Sequence, residues 1–163
     1  MRSELKLDIK KVKEAQTVIR GIADNTPLIP SFFLSSIIGN EFLLKLENVQ
    51  PIGAFKIRGA LNAVFNLPVS TKVVTCCSTG NHGRGIAYAA AKRGIKAVIF
   101  MSNLVPKVKI EAIKSLGAEV ILCGQDQAEA ELACKQSVID KGYVEVSPFD
   151  DPYVIAGQGT IGL

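Results

Sequence analysis

Three short apolar runs, V-V-T-C at 73–76, A-V-I-F at 97–100 and V-I-L-C at 120–123, recur at nearly even spacing, each followed by a longer stretch with helical character. The runs are continuous and do not alternate with polar residues. A strand of that kind is buried on both faces, which is the condition of a parallel sheet covered by helices. The pattern predicts strands over 72–76, 96–101, 119–123 and 143–146, with helices over 82–93, 106–116 and 126–141 between them. Right-handed crossovers then fold this β-α-β-α-β-α-β unit into a three-layer sandwich: an open parallel α/β sheet with helices on both faces.

The flanks are less regular. Asp8 is a candidate N-cap for a helix over 9–22, with apolar residues at Ile9, Val12, Ala15, Val18, Ile19 and Ile22 and with Gly21 near its end. The segment 25–31 holds two prolines and is not regular helix, 41–46 (E-F-L-L-K-L) is strand-like, and 48–53 is a turn. From Ala54 to Phe65 the Ala-rich, three- and four-spaced apolar pattern predicts a helix that ends before Pro68. A turn-rich boundary at 147–152 precedes a new segment over 153–163, with Pro152 placed as in the first turn of a helix. That segment stops soon after Thr160, so the natural polypeptide is expected to continue.

At 163 residues with 48% hydrophobic and 21% charged residues, the chain can bury a core of its own. Its net charge of +4 is spread as mixed Lys and Glu without interleaved aromatics, which suits a small anion better than nucleic acid. Residues 1–16 mix charged and apolar positions and offer no signal-peptide core, and no run reaches the ~18 to 20 apolar residues of a membrane span, so a cytoplasmic protein is expected. Four cysteines without C-x-x-C spacing and a lone His82 make a zinc site an unfavourable reading, and free, largely buried thiols are expected.

Three segments could carry chemistry. Ser78-Thr79-Gly80-Asn81-His82-Gly83 lies between a strand end and a helix start, where free backbone N–H groups favour an anion such as a carboxylate. An ordinary capped β-α turn reads equally well from these residues. Lys56, within Pro51-Ile52-Gly53-Ala54-Phe55-Lys56-Ile57-Arg58-Gly59-Ala60, has small or apolar neighbours that could desolvate its amine. Spacing alone leaves it a solvated helix lysine, with Arg58 either a nearby like charge or solvent-facing. Gly157-Gln158-Gly159-Thr160-Ile161-Gly162 matches G-x-G-x-x-G, but a dinucleotide loop needs a preceding strand and a long following helix, and 151–154 reads instead as a helix start.

Taken in order, G-A-F-K-I-R-G-A at 53–60, S-T-G-N-H-G at 78–83 and A-G-Q-G-T-I-G at 156–162 resemble the threonine dehydratase and serine racemase branch of the fold-type II enzymes that use pyridoxal 5′-phosphate (PLP). The resemblance runs from about Asn25 to the last residue. It implies the tryptophan synthase β-like fold, with 71–148 as the small α/β domain and with 1–70 and 149–163 as an incomplete portion of the large one. It also implies that Lys56 is the catalytic lysine joined to PLP, that Phe55 lies beside the cofactor ring, and that Asn81 bonds the 3′-oxygen. Ser78, Thr79, Gly80, Asn81 and His82 would hold the substrate carboxylate. No metal is implied.

The implied reaction is elimination of the β-hydroxyl of serine, threonine or a 3-hydroxyaspartate-like amino acid, giving a 2-oxo acid and ammonia, in a homodimer when full-length. Racemisation and β-replacement on the same fold are the alternatives, and a non-catalytic small-ligand module is the alternative of another class. Two departures matter. Ile52-Gly53-Ala54 stands where the family usually has Thr-Gly-Ser, and Thr79 stands where serine racemases carry a second acid/base Ser, which favours elimination. The glycine loop for the PLP phosphate and the partner of the pyridine nitrogen are expected beyond Leu163, so residues 1–163 alone are expected to bind PLP weakly or not at all and to be inactive.

Overall fold

The structure, a computed structural model, describes residues 7–163; the mixed-charge reading of residues 1–6 lies outside them. Seven helices and six strands follow one another along the described chain. Helix α1 spans Ile9–Ile19, with the Asp8 carboxylate accepting from Lys11 N at 2.9 Å as its N-cap. A short antiparallel pair follows, β1 (Leu28–Pro30) and β2 (Leu43–Lys45), with helix α2 (Phe32–Ile38) between them. Helix α3 is Lys56–Phe65, and eight of its ten residues are buried.

The predicted sandwich follows. Strand β3 (Val73–Cys77), helix α4 (Asn81–Arg93), strand β4 (Lys96–Met101), helix α5 (Lys107–Lys114), strand β5 (Glu119–Leu122), helix α6 (Gln127–Lys141) and strand β6 (Val144–Glu145) alternate as the apolar runs require. The sheet is parallel throughout, in the order β5-β4-β3-β6. Its two faces are visible in the alternation of the central strands. Val74, Cys76, Ile99 and Met101 join one core with Ile86, Ala90 and Ile113 of α4 and α5, while Cys77, Val98 and Phe100 pack with Ala130 and Cys134 of α6. Fully burying one such aliphatic side chain contributes about 1.5–3 kcal/mol, which is why these strands carry no polar face.

Helix α7 (Pro152–Gly159) closes the described chain, ending in a short 3-10 turn over Thr160–Gly162. The Asp151 carboxylate caps it, accepting from Tyr153 N at 2.9 Å and Val154 N at 3.1 Å. A Cβ on Gly157 would stand 2.6 Å from both Arg58 O and Gly59 Cα, so α7 and α3 cross at backbone contact. The G-x-G-x-x-G match is therefore helical packing, not a dinucleotide loop.

Arg58 is neither a bare like charge beside Lys56 nor solvent-facing. It is 6% exposed, and its Nε and one terminal nitrogen each donate to Glu47 at 2.8 Å, while the same terminal nitrogen reaches Asp24 O at 3.0 Å. Burial alone would push the Glu47 carboxyl up, but hydrogen bonds from Arg58, Thr26 and Gln50 outweigh it and hold it below its usual value. The pair ties α3 to the segments before it.

Among the described residues, no helix is long and apolar enough to cross a membrane, and no cluster of three or more His, Cys, Asp or Glu is placed to hold a metal. Cys76, Cys77 and Cys134 are buried free thiols and Cys123 is partly so; burial pushes each thiol up, Cys77 to about 12 and Cys134 to about 11.

Candidate active site

Strand β3 is the first of the sheet, and the chain then goes to β4 on one side and finally to β6 on the other. The crevice at the C-terminal ends of β3 and β6 is thus the topological switch point, where open α/β sheets bind ligands. A cleft of about 690 Å³ lies there, lined by Lys56, by 77–82 after β3, by 147–149 after β6 and by Gln127 and Glu131 of α6. A second cleft of about 410 Å³, beside Arg58 and Lys45, lies away from these residues.

The sequence places the loop and the lysine on one cleft through a glycine. Gly85 of α4 faces α3, where a Cβ would stand 2.9 Å from Ala60 Cβ and 3.2 Å from Lys56 O. Only a hydrogen at that position lets the two helices approach, which brings the first residue of α3, Lys56, beside the first turn of α4. Lys56 is half-buried; its Nζ donates to Pro148 O at 3.5 Å and lies 5.4 Å from the Phe55 ring centroid. No carboxylate pairs with Lys56 among the described residues, so its amine is not committed to a salt bridge.

The loop is built around one hydroxyl. Ser78 Oγ accepts from Gly80 N at 3.3 Å and from Gly83 N at 3.1 Å, which caps the start of α4. A helix leaves its first N–H groups without intrahelical acceptors. The cap takes one of them, and those of Asn81 and His82 have no protein acceptor among the described residues. Gly80 has no heavy atom within 4 Å of where a Cβ would stand, so the cleft stays open at the helix end. An anion fits these two N–H groups and the positive end of the helix dipole.

His82 is placed differently from the rest of the loop. It is 4% exposed, and its Nε2 meets Val146 O at 2.9 Å. Burial, reinforced by the charge of Lys56 and only partly offset by the Val146 bond, pushes its pKa down to about 4, so the ring is neutral at pH 7. Lys56, Phe55, Ser78, Thr79, Gly80, Asn81 and His82 thus all line one cleft, as a shared site needs. The 147–149 segment and the acidic residues Glu131 and Glu145, which also line the cleft, were missed by sequence reasoning. The 147–149 segment had only its position after the last strand as a signal, and Glu131 within α6 and Glu145 within β6 had none, since no local motif marks which of their neighbours face the cleft.

These groups fit a small cofactor bearing an aldehyde and an acidic oxygen. The cleft volume lies in the range of small-ligand sites, an uncommitted primary amine projects at its edge, and Asn81 offers an exposed amide beside it.

Known proteins resemble the chain over most of its length. The family described as "Pyridoxal-phosphate dependent enzyme" matches residues 19–163. An L-threonine ammonia-lyase of Thermotoga maritima is 43% identical over 159 residues, covering 96% of this chain and 40% of that protein. The solved structure of maize serine racemase superposes with a TM-score of 0.91 at 34% identity, over 96% of this chain and 48% of that one. A processed threonine deaminase isoform 2 from Solanum lycopersicum gives 0.87 at 35% identity, over 96% and 45%. The chain spans less than half the length of these relatives. With the family matched from the end of α1 to the last residue, the chain belongs to the pyridoxal-phosphate dependent enzymes.

Proposed function

We propose that the chain is the lysine-bearing part of a PLP-dependent ammonia-lyase that eliminates the β-hydroxyl of a small hydroxy-amino acid, threonine or serine. The observation that carries this reading is the meeting, on one cleft, of the Lys56 amine, which no carboxylate among the described residues pairs, with the open N-terminus of α4. The matched relatives that are threonine ammonia-lyases and deaminases support the reaction class.

When bound, the cofactor supplies an electron sink that lowers the cost of negative charge at the substrate Cα. The residues of this chain do the rest. Of the residues on the cleft, Lys56 would hold the cofactor through its aldehyde, Asn81 would bond its ring oxygen and Phe55 would stand beside the ring. The substrate carboxylate sits against the N–H groups of Asn81 and His82, with the Ser78 and Thr79 side chains beside it. Once released by the substrate's own amine, Lys56 Nζ would take the proton from Cα and pass it to the β-hydroxyl, which would leave as water.

The acidic wall narrows the substrate class. Burial, and beyond it the neighbouring Glu131, push the Glu145 carboxyl up although Lys135 opposes them. Glu131 is paired with Lys135 at 2.6 Å, so it is the half-buried Glu145 that a second substrate carboxylate would have to face, and threonine and serine are expected to be better substrates than 3-hydroxyaspartate. Thr79 in place of the serine-racemase Ser favours elimination over racemisation. Residues 71–148 act as the small domain, the protein works in the cytoplasm, and the full-length enzyme is a homodimer.

The test is incubation of the full-length protein with PLP and each of L-threonine, L-serine and threo-3-hydroxyaspartate, following 2-oxo acid and the D-isomers. Oxo acid from threonine or serine, exceeding that from the dicarboxylate, is expected. No oxo acid from any of them would overturn the elimination reading, and D-isomers without oxo acid would establish the racemase.

A further inference from the structure

His82 belongs to the loop expected to hold the substrate carboxylate, yet its ring has no donor to offer one. Val146 O can only accept, so Nε2 carries the proton and spends it there, at 2.9 Å. In the neutral ring the other nitrogen, Nδ1, is then a bare lone pair, and it is buried without a partner among the described residues. A carboxylate needs donors. The backbone N–H of His82 can supply one, but the imidazole cannot.

What the imidazole does reach is the segment after β6. Val146 N donates to Thr75 O at 3.0 Å, the last rung between β6 and β3. Past this rung the chain leaves the sheet, and Ser147 Oγ turns it by accepting from Phe149 N at 3.2 Å and Asp150 N at 3.3 Å. Between rung and turn, the His82 bond is the one that fixes the carbonyl of Val146. Two residues on, Pro148 O receives the Lys56 amine at 3.5 Å. Pro148 has a locked φ, and its carbonyl shares a peptide plane with the Phe149 N–H that Ser147 Oγ holds at 3.2 Å, so its direction follows from how 146–149 is held.

We infer that the His82 side chain is a positioning residue for Lys56: by donating to the Val146 carbonyl it holds the 146–148 segment so that the Pro148 carbonyl orients the Lys56 amine, and it does not bind substrate. The inference rests on the reading of Lys56 as the cofactor lysine. It assigns the ring a role separate from that of the backbone on the same residue. It also accounts for a histidine buried in a neutral state in a loop otherwise made of small polar residues.

The test compares His82→Asn, too short to reach Val146 O, with His82→Gln, whose terminal amide reaches it, and with His82→Leu, in the full-length protein freed of cofactor. Added PLP is followed by its visible absorbance and trapped on the Lys56 peptide with borohydride. Hydrogen exchange is read at the amides of residues 146, 147 and 149. H82N is expected to slow covalent attachment at Lys56 at least tenfold and to speed exchange at these amides, and H82Q to recover most of the loss. In turnover, H82N is expected to lower kcat with KM for the amino acid within twofold of the parent. Attachment within twofold of the parent in both H82N and H82L would overturn the inference, as would a tenfold higher KM with kcat and attachment unchanged, which would make the ring a substrate ligand. Should H82L fail to fold, the H82N and H82Q pair still decides. Should the parent turn over no hydroxy-amino acid, the ammonia-lyase reading fails while attachment and exchange continue to report on His82.

Discussion

Substituting Gly157 by Ala inserts a methyl group where α7 crosses α3. The new Cβ would stand 2.6 Å from Arg58 O and 2.6 Å from Gly59 Cα, both backbone atoms that cannot rotate away. A carbon beside a carbonyl oxygen settles at about 3.3 Å, so the helices must separate by about 0.7 Å. That movement strains the Asn62-to-Tyr153 carbonyl bond, now 2.7 Å, and the bond from Gly59 N to the Gln158 side chain, now 3.2 Å. Overpacking of this kind costs about 1–3 kcal/mol, and contact with backbone places G157A near the upper end, about 3 kcal/mol. Because Lys56 sits in the first turn of the displaced helix, kcat should fall as well. The assay is urea unfolding followed by circular dichroism, with Gly162→Ala as control, since a Cβ there meets nothing within 4 Å. G162A should stay within about 0.5 kcal/mol of the parent. Equal stability of G157A and G162A would refute the packing account and reopen a loop role for the glycine motif.

Removing the guanidinium by Arg58→Met leaves the Glu47 carboxylate, 12% exposed at its side chain, without its bidentate partner, and should cost about 3–5 kcal/mol in urea unfolding at pH 7. The folded pKa of Glu47 lies below its unfolded value, so its contribution is present at neutral pH and lost as pH falls through the folded value; the parent should therefore lose more stability than R58M on acidification below pH 4.5. The His82 ring, depressed to about 4 from 6.5, contributes stability that is full above pH 6.5 and lost progressively down to about 4. That loss amounts to about 3 kcal/mol, and H82Q should show a flatter profile across the same window in unfolding experiments.

The sheet was legible because its chemistry is local. Val98, Ile99, Phe100 and Met101 are each buried on one face or the other, and a run of such residues has no other stable place. Helix α2 was missed for the converse reason. F-F-L-S-S-I-I buries none of its residues, and a run of that composition after two prolines gives no amphipathic period to read. Its caps, Ser31 accepting from Leu34 N and Gly39 at φ 71°, were the available signals. Strand β2 was legible within the strand-like 41–46, but its partner β1 escaped because three residues ending in Pro30 do not display a strand period. Arg58 could not be placed from sequence, because its environment is assembled from Asp24, Glu47 and Thr160, which lie far apart along the chain. The site divides the same way. The 78–83 loop announces itself by its place after a strand, whereas the spacing around Lys56 marks nothing: the motif resemblance singles that lysine out, and its place on the cleft follows from Gly85, which lets α3 approach α4, and from Pro148 O, 3.5 Å from the amine.

On the proposed reading, Lys56 is the residue that holds the cofactor. Borohydride reduction of the full-length protein mixed with PLP, followed by peptide mass spectrometry, tests it most directly. The account predicts a reduced adduct on the peptide carrying Lys56, and loss of both adduct and visible absorbance in Lys56→Ala. An adduct on another lysine, or absorbance that survives the substitution, would contradict it.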